Sequence, residues 1–285
     1  MFKSGFVTII GNPNVGKSTL LNKILGEKIA IVSSKPQTTR TKIMGVHTDS
    51  NAQIIFIDTP GMHSPRNKLG EIMVRTAKEE AAGADIIYVM TDCTNPSELP
   101  DIPGGHKFLV INKVDGIEKE KILPIIAEYG SEFDEVFPIS AKTGEGVDAL
   151  LEATKKYLAE GPKYYPDDTM TDQPERVIAS EMIREKVFRL LNEEVPFGTA
   201  VGIEKFEEKE KLTSIEAIIY CEKESHKGII IGKNGDMIKK IGSSARVELE
   251  KFLGVKVFLN VWVKVSEGWR DSGAKLRNFG YTFES

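Results

Sequence analysis

The stretch GNPNVGKST, Gly11 to Thr19, decides the fold of this chain. It follows the apolar residues Phe6, Val7, Ile9 and Ile10 and leads into Leu20, Leu21, Ile24 and Leu25, so it occupies a strand-to-helix turn. Gly11 and Gly16 admit backbone angles that other residues resist, and consecutive N–H groups can then turn inward around a pyrophosphate at the positive end of the new helix. The stretch therefore supplies Asn12, Asn14, Val15, Gly16, Lys17, Ser18 and Thr19 as a phosphate-binding set. Lys17 reaches the β and γ phosphates, and the Ser18 hydroxyl can join a magnesium ion that shares their oxygens. Two glycines in a turn mean little alone; the full pattern in a strand-helix context means much more.

Outward from this loop, residues 1–160 alternate apolar runs with amphipathic segments, the pattern of a mostly parallel sheet with helices on both faces. The runs Phe6–Ile10, Ile43–His47, Ile54–Ile57, Ile86–Met90, Phe108–Ile111 and Val136–Ile139 are the expected strands. In such folds ligands sit beyond the carboxyl ends of the strands. The polar residues that follow each strand should then meet at one place. The loop Ser33–Lys42 offers Thr38 or Thr39 as a hydroxyl for the metal and an N–H for the γ phosphate. DTPG places Asp58 where an acid can hold magnesium through a water, and Gly61 where a backbone can approach the terminal phosphate. NKVD contributes Asn112, Lys113 and Asp115; a carboxylate accepts two hydrogen bonds from guanine, whereas adenine lacks that donor pair. PISAKTGEG adds Ser140, Ala141, whose N–H suits the guanine O6, and Lys142 beside the base.

These five motifs, in this order, resemble those of the Ras-like translation-factor class of GTPases. Met62 stands where Ras-type enzymes carry the glutamine that orients water. The resemblance to bacterial GTPases with an Asn-x-Gly-Lys-Ser loop implies that Asn14 helps bind a potassium ion, and Thr39-Arg40 favours Thr39 as the magnesium ligand. The implied catalytic set is Lys17, Thr39, Asp58, Gly61 and Asn14, with Ser18, Thr39 and Asp58 at the metal. Hydrolysis is then intrinsically slow and potassium-stimulated.

The segment Asp92–Lys107, with three prolines and two glycines, is expected to hold a short or degraded helix. Residues 161–173 are polar, with Pro162 and Pro166, and read as a linker. From 174 to 285 the order is helix, strand, strand, helix, GKNG, helix, strand. It begins with an amphipathic stripe of Val177, Ile178, Met182, Ile183, Val187 and Leu190. This order resembles a type II KH domain, an α+β fold whose G-x-x-G loop clamps single-stranded nucleic acid. Gly232 and Gly235 admit phosphates, Lys233 and Asn234 lie between them, Lys239 and Lys240 follow on the helix, and Ile229, Ile230 and Ile231 form an apolar edge for bases. Trp262 and Trp269 read as core or docking aromatics.

Charge supports the division. Of a net charge of −4, residues 1–173 carry −5 and residues 174–285 carry +1. Cys93 and Cys221 lie far apart, as in a reducing compartment, and no apolar run approaches the roughly 20 residues of a membrane span. A cytoplasmic protein is expected.

A GTPase domain at 1–160 followed by a KH domain at 174–285 resembles the Era family of bacterial ribosome-assembly GTPases over essentially the whole chain. That resemblance implies GTP/GDP and Mg2+ as ligands and K+ as a further ion. It also implies single-stranded RNA near the 3′ end of 16S ribosomal RNA as partner, with a role in 16S rRNA processing and small (30S) subunit assembly. Monomeric behaviour and peripheral association with the inner face of the cell membrane belong to the same expectation. The rival readings are a nucleotide-independent RNA-binding module with a relic GTPase half and a GTPase of RNA modification.

Overall fold

The computed structural model describes residues 1–94, 99–100 and 102–281. In chain order the regular elements are β1 (Lys3–Gly11), α1 (Lys17–Leu25), β2 (Ile43–Thr48), β3 (Ala52–Asp58), α2 (Lys68–Ala82), β4 (Ile86–Asp92), β5 (His106–Asn112), α3 (Leu123–Tyr129), β6 (Glu135–Pro138) and α4 (Val147–Tyr157). They continue with α5 (Glu175–Leu190), β7 (Ala200–Lys209), β8 (Leu212–Cys221), α6 (Glu224–Ile231), α7 (Asp236–Leu253), β9 (Lys256–Val265) and α8 (Gly273–Asn278).

The chain divides into two compact units: Met1–Ala30 with Thr39–Pro65 and Met73–Asp172, and Ile31–Thr38 with Arg66–Ile72 and Gln173–Ser285. In the first, six strands lie in the order β2-β3-β1-β4-β5-β6, parallel except for β2, which runs antiparallel to β3. Alternation decides the faces. Val7, Ile9, Phe56, Tyr88 and Phe108 turn toward Leu20, Leu21 and Leu150 of α1 and α4. Ile10, Ile87 and Val89 turn the other way, toward Ala81 of α2, and Leu109 and Ile111 pack with Ile122 and Ile125 beside α3. A sheet covered on both faces needs apolar residues at every position, which explains its nearly unbroken apolar runs.

Residues 161–172 belong with this first unit, so the stretch read as a linker is largely packed chain. Gln53, fully buried, explains much of it. Its Oε1 accepts the N–H groups of Tyr164 (2.7 Å) and Tyr165 (2.9 Å), and its Nε2 donates to Tyr165 O (2.9 Å) and Thr48 Oγ1 (3.0 Å). Further on, Val46 N–H donates to Met170 O at 2.8 Å and Thr171 Oγ1 donates to Met44 O at 2.6 Å. In the segment Asp92–Lys107, residues 95–98 and 101 lie outside the described residues, and the described ones before β5 carry no helix.

In the second unit β7, β8 and β9 form a sheet in that order, with β7 antiparallel and β9 parallel to β8. Ile178, Met182, Ile183 and Val187 of α5 join Ile215, Ile219, Ile241 and Leu249 in its core. Four features differ from the sequence reading or add to it. Val177 is 37% exposed, because it flanks the stripe rather than lying on it. Trp262 is 46% exposed, because the alternation of β9 turns it outward with Phe258, whereas Trp269 is fully buried and donates from Nε1 to Gly198 O at 3.0 Å. Ile230 is a core residue, leaving Ile229 and Ile231 to face outward. Finally α5 buries three consecutive charged residues, Arg184, Glu185 and Lys186, each of them ion-paired.

Replacing Gln53 by alanine strands the part-buried N–H donors of Tyr164 and Tyr165. It should lower unfolding stability by about 2 kcal/mol, read from the midpoint of urea unfolding; an unchanged midpoint refutes the role given to this amide.

Candidate nucleotide site and nucleic-acid loop

The carboxyl ends of β1, β3, β4 and β5 open on one edge, and the polar residues beyond them converge there. Gly11 (φ +149°) and Gly16 (φ +107°) bound the first loop; a Cβ on Gly11 would lie 2.2 Å from Met90 O and one on Gly16 2.2 Å from Asn112 Nδ2. Only glycine fits either place. Asn14 also takes a positive φ of 66°. Asn12 is partly buried and Val15 buried, while Thr19 sits half-covered in the first turn of α1.

Lys17 is 6% exposed and donates from Nζ to the carbonyls of Gly11 and Asn12, each at 3.0 Å. Burial lowers its pKa to about 8, against the nearby Asp58 charge, which raises it. Ser18 Oγ donates to Asp58 Oδ2 at 2.5 Å and lies 2.9 Å from Thr39 Oγ1. Asp58 is fully buried, and its Oδ1 has no hydrogen-bond partner among the described residues. Burial raises this carboxyl to about 6, opposed by Lys17 and by the Ser18 hydrogen bond. Two hydroxyls and an unpartnered carboxylate oxygen form an all-oxygen donor set that suits a hard divalent cation such as magnesium. Between the two candidate threonines the geometry separates the roles: Thr38 Oγ1 donates to Lys35 O at 2.7 Å, and only Thr39 meets Ser18. Gly61 backs onto the first loop, where a Cβ would lie 2.9 Å from Pro13 Cα, and Met62 N–H donates to Gly11 O at 3.1 Å.

Asn112 ties three motifs together. Its Nδ2 donates to Val15 O at 2.7 Å and its Oδ1 accepts the Ala141 N–H at 2.8 Å. The Ala141 N–H assigned to guanine in the sequence reading is thus directed at Asn112. Ser140 Oγ donates to Asp115 Oδ1 at 2.7 Å and leaves that exposed carboxylate its second oxygen. Lys142 is exposed. Lys113 pairs with Asp92, the last residue of β4, whose other oxygen accepts from the Thr94 N–H and hydroxyl at 2.8 and 2.7 Å. Sequence reasoning missed Asp92; a lone acid ending a buried strand was its signal.

In the second unit GKNG links α6 to α7. Gly232 (φ +76°) has no room for a Cβ, which would lie 2.7 Å from Met237 Cβ, whereas at Gly235 (φ +80°) nothing lies within 4 Å. Asn234 also has a positive φ, 53°, and Lys233, Lys239 and Lys240 are exposed. Ile229 is half-exposed and Ile231 partly so. Beside the loop lies a groove of about 310 Å³ between α7 and β9, lined among others by Ile238, Gly242, Arg246, Leu259 and Val261. The sequence reading did not include these residues. Gly242 was the available signal: glycine inside a helix costs about 1 kcal/mol, yet a Cβ there would meet Val261 at an ordinary 3.8 Å. Packing within the chain does not demand it.

Fold and site define the class: a P-loop GTPase unit in one chain with a KH unit. A family model described as 50S ribosome-binding GTPase matches residues 6–127, and one described as KH domain matches residues 194–270. The chain is 51% identical to GTPase Era of Syntrophus aciditrophicus over 99% of this chain and 96% of that one, and 49% identical to GTPase Era of Clostridioides difficile over 99% of both. It matches a crystal structure of Era in complex with MgGDPNP and nucleotides 1506–1542 of 16S ribosomal RNA, with a TM-score of 0.94 and 41% identity over 99% of this chain and 100% of that one. A second match is a tyrosine-to-alanine variant of Aquifex aeolicus Era bound to GDP·AlF4−, with a TM-score of 0.93, 41% identity and the same coverage. This chain belongs to the Era family of GTPases. Among the described residues no helix is long and apolar enough to cross a membrane.

The two displaced pKa values set a pH window. Asp58, raised above the ordinary carboxylate value, binds a proton in the folded chain that the unfolded chain releases, so its contribution to stability falls as pH climbs toward 6. Lys17, lowered, makes stability rise with pH above about 8. Magnesium takes only the ionised carboxylate, so magnesium-dependent nucleotide affinity should fall about tenfold per pH unit below pH 6. A flat titration from pH 5 to 7 would contradict the Asp58 assignment.

Proposed function

We propose that this chain is a GTP-hydrolysing switch whose residues 1–160 bind GTP and GDP and whose residues 174–285 hold single-stranded RNA at the 3′ end of 16S ribosomal RNA, acting in maturation of the small ribosomal subunit. The observation that carries the nucleotide half is the meeting of Ser18, Thr39 and Asp58, drawn from the start of α1, a loop and the end of β3.

In this reading Ser18 and Thr39 would hold magnesium directly and Asp58 through a water, and the ion, when bound, would supply positive charge at the phosphates. Lys17 leaves its own loop carbonyls for the phosphates, a better partner for a buried ammonium. Asp115 accepts the paired donors of guanine, while Asn112 keeps the base-side loops in register. Met62 offers no group to orient water, so the intrinsic rate is slow, and Asn14 would hold a potassium ion that would supply positive charge near the phosphates in place of an external cation. Hydrolysis frees the Thr39 and Gly61 loops from the γ phosphate. The protein works in the cytoplasm, with peripheral contact to the inner face of the cell membrane.

For RNA, the GKNG backbone and the uncapped first turn of α7 receive phosphates, with Lys233, Lys239 and Lys240 adding charge. Ile229, Ile231 and the α7–β9 groove receive unpaired bases.

The deciding experiment measures affinity for a short RNA from the 16S 3′ end with a non-hydrolysable GTP analogue and with GDP, in the natural chain and in Gly235→Asp. The space at Gly235 admits the side chain, so the variant tests charge and backbone angle rather than a clash. Binding tighter with the analogue and at least tenfold weaker in the variant is expected; indifference to both overturns the RNA half. Replacing sodium by potassium should raise the hydrolysis rate, and Asn14→Ala should abolish that gain; a gain that survives the substitution removes Asn14 from the ion site.

A further inference from the structure

The segment Ile31–Thr38 is strapped along one face of α5. Glu185 Oε1 accepts the Val32 N–H at 3.0 Å, and Arg189 returns two bonds to Val32 O at 3.3 and 3.1 Å. Lys35 Nζ donates to the carbonyls of Phe188, at 2.5 Å, and Leu191, which the helix end leaves without intrahelical partners. Arg184 Nη2 then donates to Thr38 O. Helix positions 181, 184, 185, 188 and 189 follow the three- and four-residue spacing of one face. The contacts recur at Val32, Lys35 and Thr38, every third residue of the strap.

The last contact has a geometric effect on the next residue. Arg184 is fully buried, and its guanidinium is gripped by both carboxylate oxygens of Glu181, Nε to Oε1 at 2.7 Å. Its direction is therefore fixed before it reaches Thr38, as a planar fork allows and a lysine ammonium does not. In a trans peptide the C=O of one residue and the N–H of the next lie in one plane and point opposite ways. Arg184, by holding the Thr38 carbonyl, fixes where the Thr39 N–H points. The Thr38 hydroxyl, bonded to Lys35 O, holds the residue to the strap as well. We infer that Arg184 is a positioning residue for GTP: it orients the Thr38–Thr39 peptide so that the Thr39 N–H and hydroxyl meet the γ phosphate and the metal.

This rests on the GTP reading of the site and makes a narrower claim. GDP has no γ phosphate, so Arg184 should matter for the triphosphate alone. The test compares dissociation constants for GDP and a non-hydrolysable GTP analogue, with magnesium, in the full chain carrying Arg184→Met, Arg184→Lys or Glu181→Gln, with thermal melting in GDP alongside. Arg184→Met should weaken the analogue about tenfold, as loss of one charge-assisted hydrogen bond implies, and leave GDP within twofold. Arg184→Lys should recover part of the loss, and Glu181→Gln, which only loosens the grip, should weaken the analogue about threefold. Equal weakening of both nucleotides, or of neither, overturns the inference, and Glu181→Gln decides it if Arg184→Met does not fold. A natural chain that binds neither nucleotide overturns the GTP reading itself.

Discussion

Much of the first unit depends on one side-chain amide. Asn112 is 2% exposed, so both ends of its amide must be satisfied inside the protein. It gives a hydrogen bond to Val15 and takes one from Ala141, and so binds the end of β5 to the phosphate loop and to the loop after β6. Gly16 has to lack a side chain because the Asn112 amide occupies that space. Val15 and Ala141, 97 and 29 residues from Asn112 in sequence, therefore share one small polar group. The distance from the Val15 loop to the Ala141 loop is set there, inside the protein, and does not depend on a ligand to define it.

A second constraint acts around Lys17 and Asp58. Lys17 and Asp58 are both removed from water, and burial displaces each toward its neutral form. An unpartnered carboxylate oxygen and an ammonium resting on carbonyls are costly by themselves. A ligand that brings a cation to the first and phosphates to the second relieves both costs at once, which couples nucleotide to metal without further contacts.

The six strands of the first sheet were legible because helices cover both faces, so the strands stand out as apolar runs between polar loops. The nucleotide motifs were legible because each places a particular chemistry at a strand end. What the sequence hid was tertiary. Trp262 and Ile230 are ordinary apolar residues whose facing is decided by the register of β9 and the phase of α6. Nothing in the sequence around Arg184, Glu185 and Lys186 marks them as buried; in the fold they are paired with groups distant in sequence. Asp92 has no motif around it, and its meaning comes from Lys113 twenty-one residues away. The same holds for the α7–β9 groove, whose two walls come from separate elements that the fold brings together.

The chain at 164–171 bears on a hazard of another kind. β2 is the outermost strand of the large sheet, and a bare outermost strand is a template on which a second molecule can add its own. Here Met170 takes the Val46 N–H, Thr171 takes the Met44 carbonyl, and Gln53 pins the approach at Tyr164 and Tyr165. The stretch that joins the two halves of the sequence also guards the sheet against self-association, so its polar, proline-bearing composition serves solubility as well as connection.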